Sequence, residues 1–436
     1  MFHDAFIYIA SFLPKSILFG RRFRDAHSVH ERYKESEDKN NFVLSYTKSS
    51  LSYVFKLAAQ CRFYNNLPEN CSIESFDYID KDVVISADDA LVVDKIGSEL
   101  VSTGGTSGRP LAFYADKSGR GVEWYWMTSA WSLVGFDWAK SWRAVLRNHS
   151  LGGRDYEVNR LLKEVRFDNF RLDNEYMGYV TKEIERRGIE FVHAYPSAAF
   201  AIASFWRNEN CKPACVKAFL CGSENVFDYQ KKLIQEELDI RMFTWFGHSE
   251  QLILAHEGIE CENYHSNPFY GYAELIGADG KQVKEVGQRG ELVGTGYINR
   301  KTIFVRYRTG DYAEYVGDVC PDCGHVGLTF KQVQGRWAGA KIYLSNGSWI
   351  TTTALNLHDS IYSRIDGIQY FQHKAGELEV RVVPGLSWGF ESEDDLIEAL
   401  MHKVPNGINF TIKKVDRLEY ADNRKFELLV QNIDDL

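Results

Sequence analysis

The sequence predicts an α/β protein with a large N-terminal domain of mostly parallel α/β sheets and a β-rich module, followed by a small α+β C-terminal domain. Between residues 142 and 246, short buried strands alternate with amphipathic helices, which is typical of a parallel sheet covered by helices. Short strands and turns replace this alternation from residue 257 to 330 and indicate the β-rich module. A third pattern begins at residue 335, so we divide the domains into residues 1–334 and 335–436.

The individual elements follow from apolar spacing and from turn residues. Residues 1–95 carry apolar positions at helical spacing and form an N-terminal helical region. Further helices are predicted at residues 121–135, 175–187, 197–208, 226–237 and 391–403. Strands are predicted at residues 112–114, 142–147, 191–194, 217–221, 242–246, 270–276, 290–295, 304–307, 378–383 and 408–412, with a hairpin at 341–350.

The composition excludes several classes of protein. The net charge of −9 argues against general nucleic-acid binding, which needs a basic surface. No stretch reaches the roughly 20 apolar residues that a membrane-spanning helix needs. The N-terminal segment is a poor signal peptide, so we expect reduced cysteines and a cytoplasmic location. We favour a docked N-terminal helix over a peripheral membrane contact through Phe2, Phe6 and Ile7.

A glycine-rich segment precedes the strand predicted at 112–114. It combines three glycines with four hydroxyl side chains: Ser102, Thr103, Gly104, Gly105, Thr106, Ser107 and Gly108. Glycines let backbone N–H groups approach an anion closely and the hydroxyls add donors, so the segment suits a polyphosphate. It is not a Walker loop, because Arg109 and Pro110 replace the lysine and hydroxyl residue that end that motif. A flexible linker is the alternative interpretation.

Two polar segments follow predicted parallel strands, and ligands of such sheets collect at the carboxyl ends of the strands. The first is Gly222, Ser223 and Glu224, for which a loop with a helix-capping serine is the alternative. The second is Trp245, Phe246, Gly247, His248, Ser249 and Glu250. Both segments are therefore predicted to lie at the ligand-binding edge.

Four short motifs occur in a fixed order along the chain, and a late lysine follows them. They are residues 102–108, residues 245–250, residues 307–311 (Tyr-Arg-Thr-Gly-Asp) and Gly335-Arg336, with Lys425 after them. This succession resembles the adenylate-forming (acyl-activating) enzyme superfamily, and within it the phenylacetate–CoA ligase-like, CapK-type capsular polysaccharide biosynthesis branch. The resemblance covers nearly the whole chain and implies that the C-terminal domain is a lid.

The resemblance implies an ATP-dependent ligase that joins a carboxylic acid to AMP and releases pyrophosphate. The glycine-rich segment would hold the β- and γ-phosphates, and Glu250 would bind Mg²⁺, which prefers oxygen ligands. Asp311 would accept hydrogen bonds from both ribose hydroxyls. Residues 222–224 and 246–249 would flank the rest of the nucleotide.

Two further residues take roles from the same resemblance. Arg336 would contact ribose or phosphate at the hinge between the domains, and Lys425 would bridge the carboxylate and the α-phosphate. The chain departs from the family near both residues. Residues 337–340 (Trp-Ala-Gly-Ala) stand where an acidic or lysine hinge residue is usual, and Arg424 stands where a glycine is usual. A solvated tail lysine is the alternative for Lys425.

The cysteines suggest a metal site. Cys320 and Cys323 frame a turn with proline and glycine, which is typical of a zinc knuckle. Cys261 and His265 resemble the segment that lies beside the knuckle in this branch, so these four residues are predicted to form a closed structural zinc site. His256 or His325 could replace His265, and a redox-active Cys-x-x-Cys pair is the alternative.

The partners of the reaction are less defined by the sequence. Candidates for the acid pocket are His149, Tyr195, Pro196 and Trp245, which lie in or after predicted strands. The acyl group would pass to the thiol of coenzyme A or to an amine, for example on a sugar of a surface polysaccharide. Transfer to a carrier-protein thiol, and a zinc-stabilised scaffold that binds nucleotide without turnover, are the alternatives.

Overall fold

The computed structural model describes most of the 436-residue chain. The described residues are 18–66, 68, 70–103, 111–147, 151–334, 341–355, 361, 364–385, 387–404, 406–419 and 428–433. The predicted site residues that lie outside them are Gly104, Gly105, Thr106, Ser107, Gly108, His149, Arg336 and Lys425.

The described helices lie close to their predicted positions. They are α1 (Gly20–Glu35), α2 (Lys39–Ala58), α3 (Lys81–Ala87), α4 (Gly119–Trp131), α5 (Asn174–Arg187), α6 (Pro196–Asn208), α7 (Asp228–Lys231, continued by a wide turn over Lys232–Glu237) and α8 (Ser392–Lys403).

The strands include several that the sequence pattern did not reveal. They are β1 (Ser98–Thr103), β2 (Leu111–Asp116), β3 (Arg143–Leu146), β4 (Glu157–Asn159), β5 (Glu164–Arg166), β6 (Phe191–Ala194), β7 (Ala218–Gly222), β8 (Arg241–Gly247), β9 (Leu254–Glu257), β10 (Tyr264–Ser266), β11 (Gly271–Ile276), β12 (Arg289–Gly296), β13 (Tyr307–Val319), β14 (Val326–Gln334), β15 (Lys341–Tyr343), β16 (Trp349–Thr351), β17 (Ile365–Lys374), β18 (Glu377–Pro384), β19 (Asn409–Lys414) and β20 (Leu429–Gln431).

Local sequence explains where the central helices begin and end. The Asp173 carboxylate caps α5 by accepting from the backbone N–H of Tyr176, and Gly188 ends the helix with a φ of +60°. Pro196 occupies the first turn of α6, where its missing N–H costs no hydrogen bond. These signals place both helices within one or two residues of the prediction.

The chain divides into two compact units, each made of three segments. The first unit comprises Met1–Leu100, Phe113–Ala139 and Phe243–Arg336, and the second comprises Val101–Ala112, Lys140–Met242 and Trp337–Leu436. The domain boundary between residues 334 and 335 stays a prediction.

The second unit contains the parallel α/β sheet. Its strand order is β7-β6-β3-β5-β4, with β3 parallel to both β5 and β6, β6 parallel to β7, and β4 antiparallel at the edge. Helices α5 and α6 meet where the indole of Trp206, fully buried, donates to Thr181 Oγ1 at 2.8 Å. The alternation of strand and helix therefore gives the parallel sheet that the sequence predicts.

The C-terminal segment of the same unit forms a small α+β structure. Four strands lie in the order β19-β18-β17-β20. Helix α8 and the hairpin β15–β16 belong to the same segment of the chain. Strands β17 and β18 are antiparallel, whereas β19 and β20 each pair in parallel. The apolar core of this segment also includes Phe170 from the parallel part of the unit.

The first unit contains the β-rich module. From Phe243 onward its strands lie in the order β11-β12-β13-β14-β10-β9-β8, and every neighbouring pair is antiparallel. Three helices of the unit contribute rings to a cluster around Phe269, whose ring stacks on Trp126 at 5.5 Å and meets Tyr33 and Tyr46 edge-on. The predicted α/β class, with its β-rich module and α+β C-terminal segment, is confirmed.

One predicted strand is wrong in its position. Residues 304–307 were expected to form a strand, but β13 begins only at Tyr307. Arg306 has a φ of +51°, which interrupts an extended backbone. Its guanidinium pairs with the Glu274 carboxylate at 2.9 Å, so a tertiary ion pair fixes this bend.

Among the described residues, no helix combines the length and the apolar character that crossing a bilayer requires.

We expect the buried ion pair of the parallel sheet to be essential for stability. Arg143 on β3 and Glu164 on β5 are register partners, both are buried, and the guanidinium bonds to the carboxylate. Arg143→Met removes one of two guanidinium partners of Glu164, whose Oε1 still pairs with Arg166 at 2.5 Å, and is predicted to lower the free energy of unfolding by about 1–3 kcal/mol. Urea denaturation measures this loss.

The matched control is Lys217→Met. Lys217 pairs with Glu190 at 2.6 Å, but both side chains are exposed. We expect this substitution to change the unfolding free energy by less than about 1 kcal/mol. Equal effects of the two substitutions would contradict the assignment of a buried, paired charge to Arg143.

Candidate functional site

Glu250 is a buried carboxylate in the first unit, three residues beyond the end of β8. His248 Nδ1 lies 3.1 Å from its Oε2. The hydroxyl of Tyr307, the first residue of β13, donates to Oε1 at 3.4 Å. Glu250 and Tyr307 are therefore in contact, although they are 57 positions apart in the sequence. Two of the four sequence motifs are joined by this contact.

The surroundings of Glu250 keep it ionised. Burial alone would raise its pKa, but the hydrogen bond and the charge of His248, together with the charge of Lys81 on α3, lower the pKa below its ordinary value. An ionised carboxylate in the interior is suited to hold a hard cation such as Mg²⁺.

His248 has a second ring nitrogen to offer. Its Nε2 is buried, and no described residue is its hydrogen-bond partner. Glu123 on α4 lies close enough for its charge to interact with His248.

Glu123 is a residue that sequence reasoning missed. It accepts hydrogen bonds from Gln251 and from the hydroxyl of Tyr270, and burial raises the pKa of its carboxyl. Glu123 belongs to no recognisable motif, because the tryptophan-rich sequence of its helix is typical of a buried core helix. Its only signal in the sequence is a charged residue among the apolar positions of that helix.

Asp311 is held by its own motif. Gly310 has a φ of +73° and donates its N–H to Glu291 Oε1 at 2.8 Å. The N–H of Asp311 donates to Thr309 Oγ1 at 3.1 Å, and that hydroxyl donates to the Leu292 carbonyl at 2.8 Å. The half-buried Asp311 side chain therefore follows a backbone segment that three hydrogen bonds hold in place.

The carboxyl ends of three parallel strands meet in the second unit. Arg147, directly after β3, lies with Nη1 2.7 Å from His193 Nε2 on β6 and donates through Nη2 to Ser223 Oγ at 2.6 Å. Its guanidinium also lies 4.8 Å from the ring centre of Tyr195. Ser223 follows β7 with a φ of +72°, a conformation that costs free energy and is frequent at functional sites.

Arg147 and His193 were not predicted as site residues. A charged residue directly after a buried strand was the available signal for Arg147. The segment 222–224 contacts the start of α6, since Glu224 Oε2 accepts from the N–H of Ser197 at 3.0 Å. Residues 222–224 and the Tyr195–Pro196 turn, predicted separately, are thus brought together at this edge.

Four predicted metal ligands converge in the first unit. Ligand atoms of Cys261, His265, Cys320 and Cys323 all lie within 4.8 Å of one another. His265 Nε2 is 3.4 Å from the sulfur of Cys261 and 3.4 Å from the sulfur of Cys323. Three thiols and one imidazole are a donor set typical of a closed structural zinc site.

The residues around this cluster leave room for it. A Cβ on Gly258 would lie 2.5 Å from the Cys261 sulfur and 2.8 Å from His265 Cε1, so only glycine fits there. Gly324 closes the knuckle turn with a φ of +73°. Burial, followed by the charges of His325 and His256, lowers the pKa of His265 to about 3, so its imidazole is neutral, as a metal ligand must be.

The other histidines occupy different positions. His325 Nε2 is 2.9 Å from the Ser266 carbonyl, and His256 Nδ1 is 3.0 Å from the Glu257 carbonyl. Both rings lie near His265, and the ring of His325 stacks on it at 4.7 Å. Of the three histidines, His265 is the one that groups with the cysteines.

The remaining predicted residues have simpler surroundings. Ser102 is buried in β1, and Thr103 ends that strand. Trp245 is buried in β8 and packs against Trp131, with ring centres 5.6 Å apart, as a core residue would. The ring of Phe246 lies 6.0 Å from that of His248.

The comparison with solved structures identifies a fold. Two structures of a 2-hydroxyisobutyryl-CoA ligase in complex with 2-HIB-AMP and CoA resemble the chain. One, in the thioesterification state, has a TM-score of 0.55 and 16% identity over 91% of this chain and 90% of that chain. The other, an open conformation, has a TM-score of 0.52 and 16% identity over 90% of this chain and 91% of that chain. The chain shares the fold of this ligase.

Neither protein-family models nor curated protein sequences match the chain. At such low identity the structural likeness establishes the fold alone, and one fold supports many functions.

Proposed function

We propose that this chain is an ATP-dependent ligase, which activates a carboxylic acid as an acyl-adenylate with release of pyrophosphate and passes the acyl group to coenzyme A or an amine. The contact between Tyr307 and Glu250 carries the proposal, because it joins two motifs that are distant in sequence around one buried carboxylate. The shared ligase fold supports it.

In this proposal Glu250 holds Mg²⁺, and the ion neutralises charge on the phosphates when it is bound. His248 and Tyr307 fix the two oxygens of the Glu250 carboxylate, so that little reorganisation is needed at the moment of reaction. Asp311 binds the ribose hydroxyls.

The other nucleotide contacts come from separate segments of the chain. The glycine-rich segment from Ser102 to Gly108 holds the phosphates, and Arg336 contacts ribose or phosphate. Residues 222–224 flank the adenine, and residues 246–249 contact the nucleotide. Lys425 brings its positive charge to the attacking carboxylate and the α-phosphate, which lowers their mutual repulsion.

The acid is proposed to bind near the Tyr195–Pro196 turn, with His149 and Trp245 as further candidates. Arg147 is already held at this edge by His193 and Ser223. Its guanidinium supplies a planar pair of donors that suits a carboxylate. This arrangement supports an acid as the substrate that is activated.

The wider context belongs to the same proposal. The CapK-type resemblance suggests surface polysaccharide biosynthesis, and residues 335–436 would form the lid domain. All eight cysteines are free thiols, which suits the reducing environment of the cytoplasm.

We predict that the chain exchanges labelled pyrophosphate into ATP only when a suitable carboxylic acid is present. A screen of aryl, fatty, amino and uronic acids identifies the acid. Lys425→Ala and Glu250→Gln are expected to slow the exchange at least about 100-fold, because each removes charge stabilisation at the transferring phosphate.

Lys414→Ala is the matched control. Lys414 is exposed and pairs with Glu393 at 3.6 Å, so its loss is expected to leave the exchange rate unchanged. Exchange that persists in both Lys425→Ala and Glu250→Gln would refute the roles given to these residues. Calorimetric binding of ATP without any exchange would instead support the non-catalytic scaffold.

We also propose that Cys261, His265, Cys320 and Cys323 hold a structural zinc ion. The donor set and the close approach of the ligand atoms support this. The ion would fasten the knuckle turn to the start of β10 and leave no open position for a substrate.

Removal of zinc is predicted to destabilise the protein. Elemental analysis is expected to find about one zinc ion per chain, because the four residues form one complete set of ligands. Chelation or Cys320→Ser is expected to cost at least about 4 kcal/mol of stability, the linkage value for a ligand present at about 1,000 times its Kd. Cys215→Ser, outside the cluster, serves as the control, and a Cys320–Cys323 disulfide in place of zinc would contradict the proposal.

A further inference from the structure

Glu123 links helix α4 to the turn that carries Glu250. Its Oε2 accepts a hydrogen bond from Nε2 of Gln251, the residue directly after Glu250, and its Oε1 accepts from the hydroxyl of Tyr270 at 3.4 Å. Tyr270 is buried immediately before β11. All four residues belong to the first unit. The Glu123 carboxylate is therefore bonded to two separate parts of the β-rich module.

The turn around Glu250 has a backbone that needs support. The N–H of Gln251 donates to the His248 carbonyl at 3.0 Å, which closes a turn with Ser249 and Glu250 at its centre. Gln251 has a φ of +59°, a left-handed conformation that is uncommon for a residue with a side chain and costs free energy. Such a conformation persists only where the surrounding contacts determine it. The hydrogen bond from Gln251 to Glu123 is a contact of this kind.

Helix α4 lies close to this turn. Gly119 and Glu123 are four positions apart in the helix and so share one of its faces. A Cβ on Gly119 would lie 2.8 Å from the Ile298 side chain and 3.7 Å from Oε1 of Gln251. A larger residue at Gly119 would thus push the helix away, and glycine keeps Glu123 within reach of Gln251.

We propose that Glu123 is a positioning residue, which holds the turn His248–Gln251 so that the Glu250 carboxylate faces Mg²⁺ bound with the nucleotide. The inference rests on the proposed function, in which Glu250 holds that ion. His248 and Tyr307 fix the carboxylate oxygens, but the backbone that carries the carboxylate needs its own support. Glu123 supplies it through Gln251. Ligands whose supporting residues are missing are held too loosely for efficient binding.

The gain in nucleotide affinity on addition of Mg²⁺ tests this role without relying on turnover. Calorimetry on the full chain measures the Kd of α,β-methylene-ATP without Mg²⁺ and at saturating Mg²⁺. This analogue cannot be cleaved at the bond that adenylation breaks. The ratio of the two Kd values depends on how Glu250 is placed toward the ion, whereas general damage to the nucleotide site weakens both affinities alike.

Removal of the hydrogen bond between Glu123 and Gln251 is predicted to lower this ratio. Glu123→Leu and Gln251→Leu are each expected to lower it about fivefold. The double variant is expected to lower it no further than either single one, because both substitutions remove the same hydrogen bond.

Glu123→Gln is the conservative variant. Its amide oxygen can accept from Gln251 and its amide nitrogen can donate to the Tyr270 hydroxyl, so the ratio is expected to stay within about twofold of that of the unaltered chain. Glu183→Leu is the matched control, since Glu183 is a half-buried helical glutamate that pairs with two arginines in the second unit. It is expected to leave both Kd values unchanged.

Glu250→Gln separates the inference from the proposed function. A lower ratio in Glu250→Gln with an unchanged ratio in Glu123→Leu overturns the positioning role while the ligase stands. Equal losses in Glu123→Leu and Glu123→Gln, or an equal weakening of both Kd values, also overturn it. An unchanged ratio in Glu250→Gln refutes Glu250 as the metal ligand, and the inference falls with that role.

Discussion

A charge buried in a protein must be compensated, and this constraint determines where the functional motifs of the chain can lie. Glu250 is buried after β8, so its carboxylate needs donors, and it receives them from His248 and from Tyr307. Tyr307 begins β13, which is far from β8 in sequence. The same rule pairs Arg306 with Glu274 at the preceding bend and Arg143 with Glu164 in the parallel sheet. Functional geometry and folding stability therefore depend on the same contacts.

The regular part of the fold is predictable because its signals are local. The capping aspartate and terminal glycine of α5, and the first-turn proline of α6, lie beside the helices that they limit. The prediction of a strand at residues 304–307 was wrong because it depends on a distant residue. Its apolar residues suit an extended chain, but the positive φ of Arg306 depends on Glu274, more than 30 positions away. No local pattern contains that information.

The candidate site likewise contains residues that local sequence predicts and residues that it does not. The zinc knuckle is a local turn, so Cys320 and Cys323 could be predicted from spacing, whereas the choice among three histidines could not. His256 and His265 are register partners of adjacent strands, and His325 stacks on His265, so only the sheet decides which ring faces the thiols. Arg147 was missed because its importance comes from His193 and Ser223, which lie on or after other strands.

Groups of opposite charge, Arg147 and Glu224, both act on Tyr195 at the carboxyl edge of the second unit. Burial raises the pKa of the buried Tyr195 hydroxyl most, and the charge of Arg147 lowers it while the charge of Glu224 raises it. A guanidinium that binds the carboxylate would hold the acid in place until activation removes its negative charge.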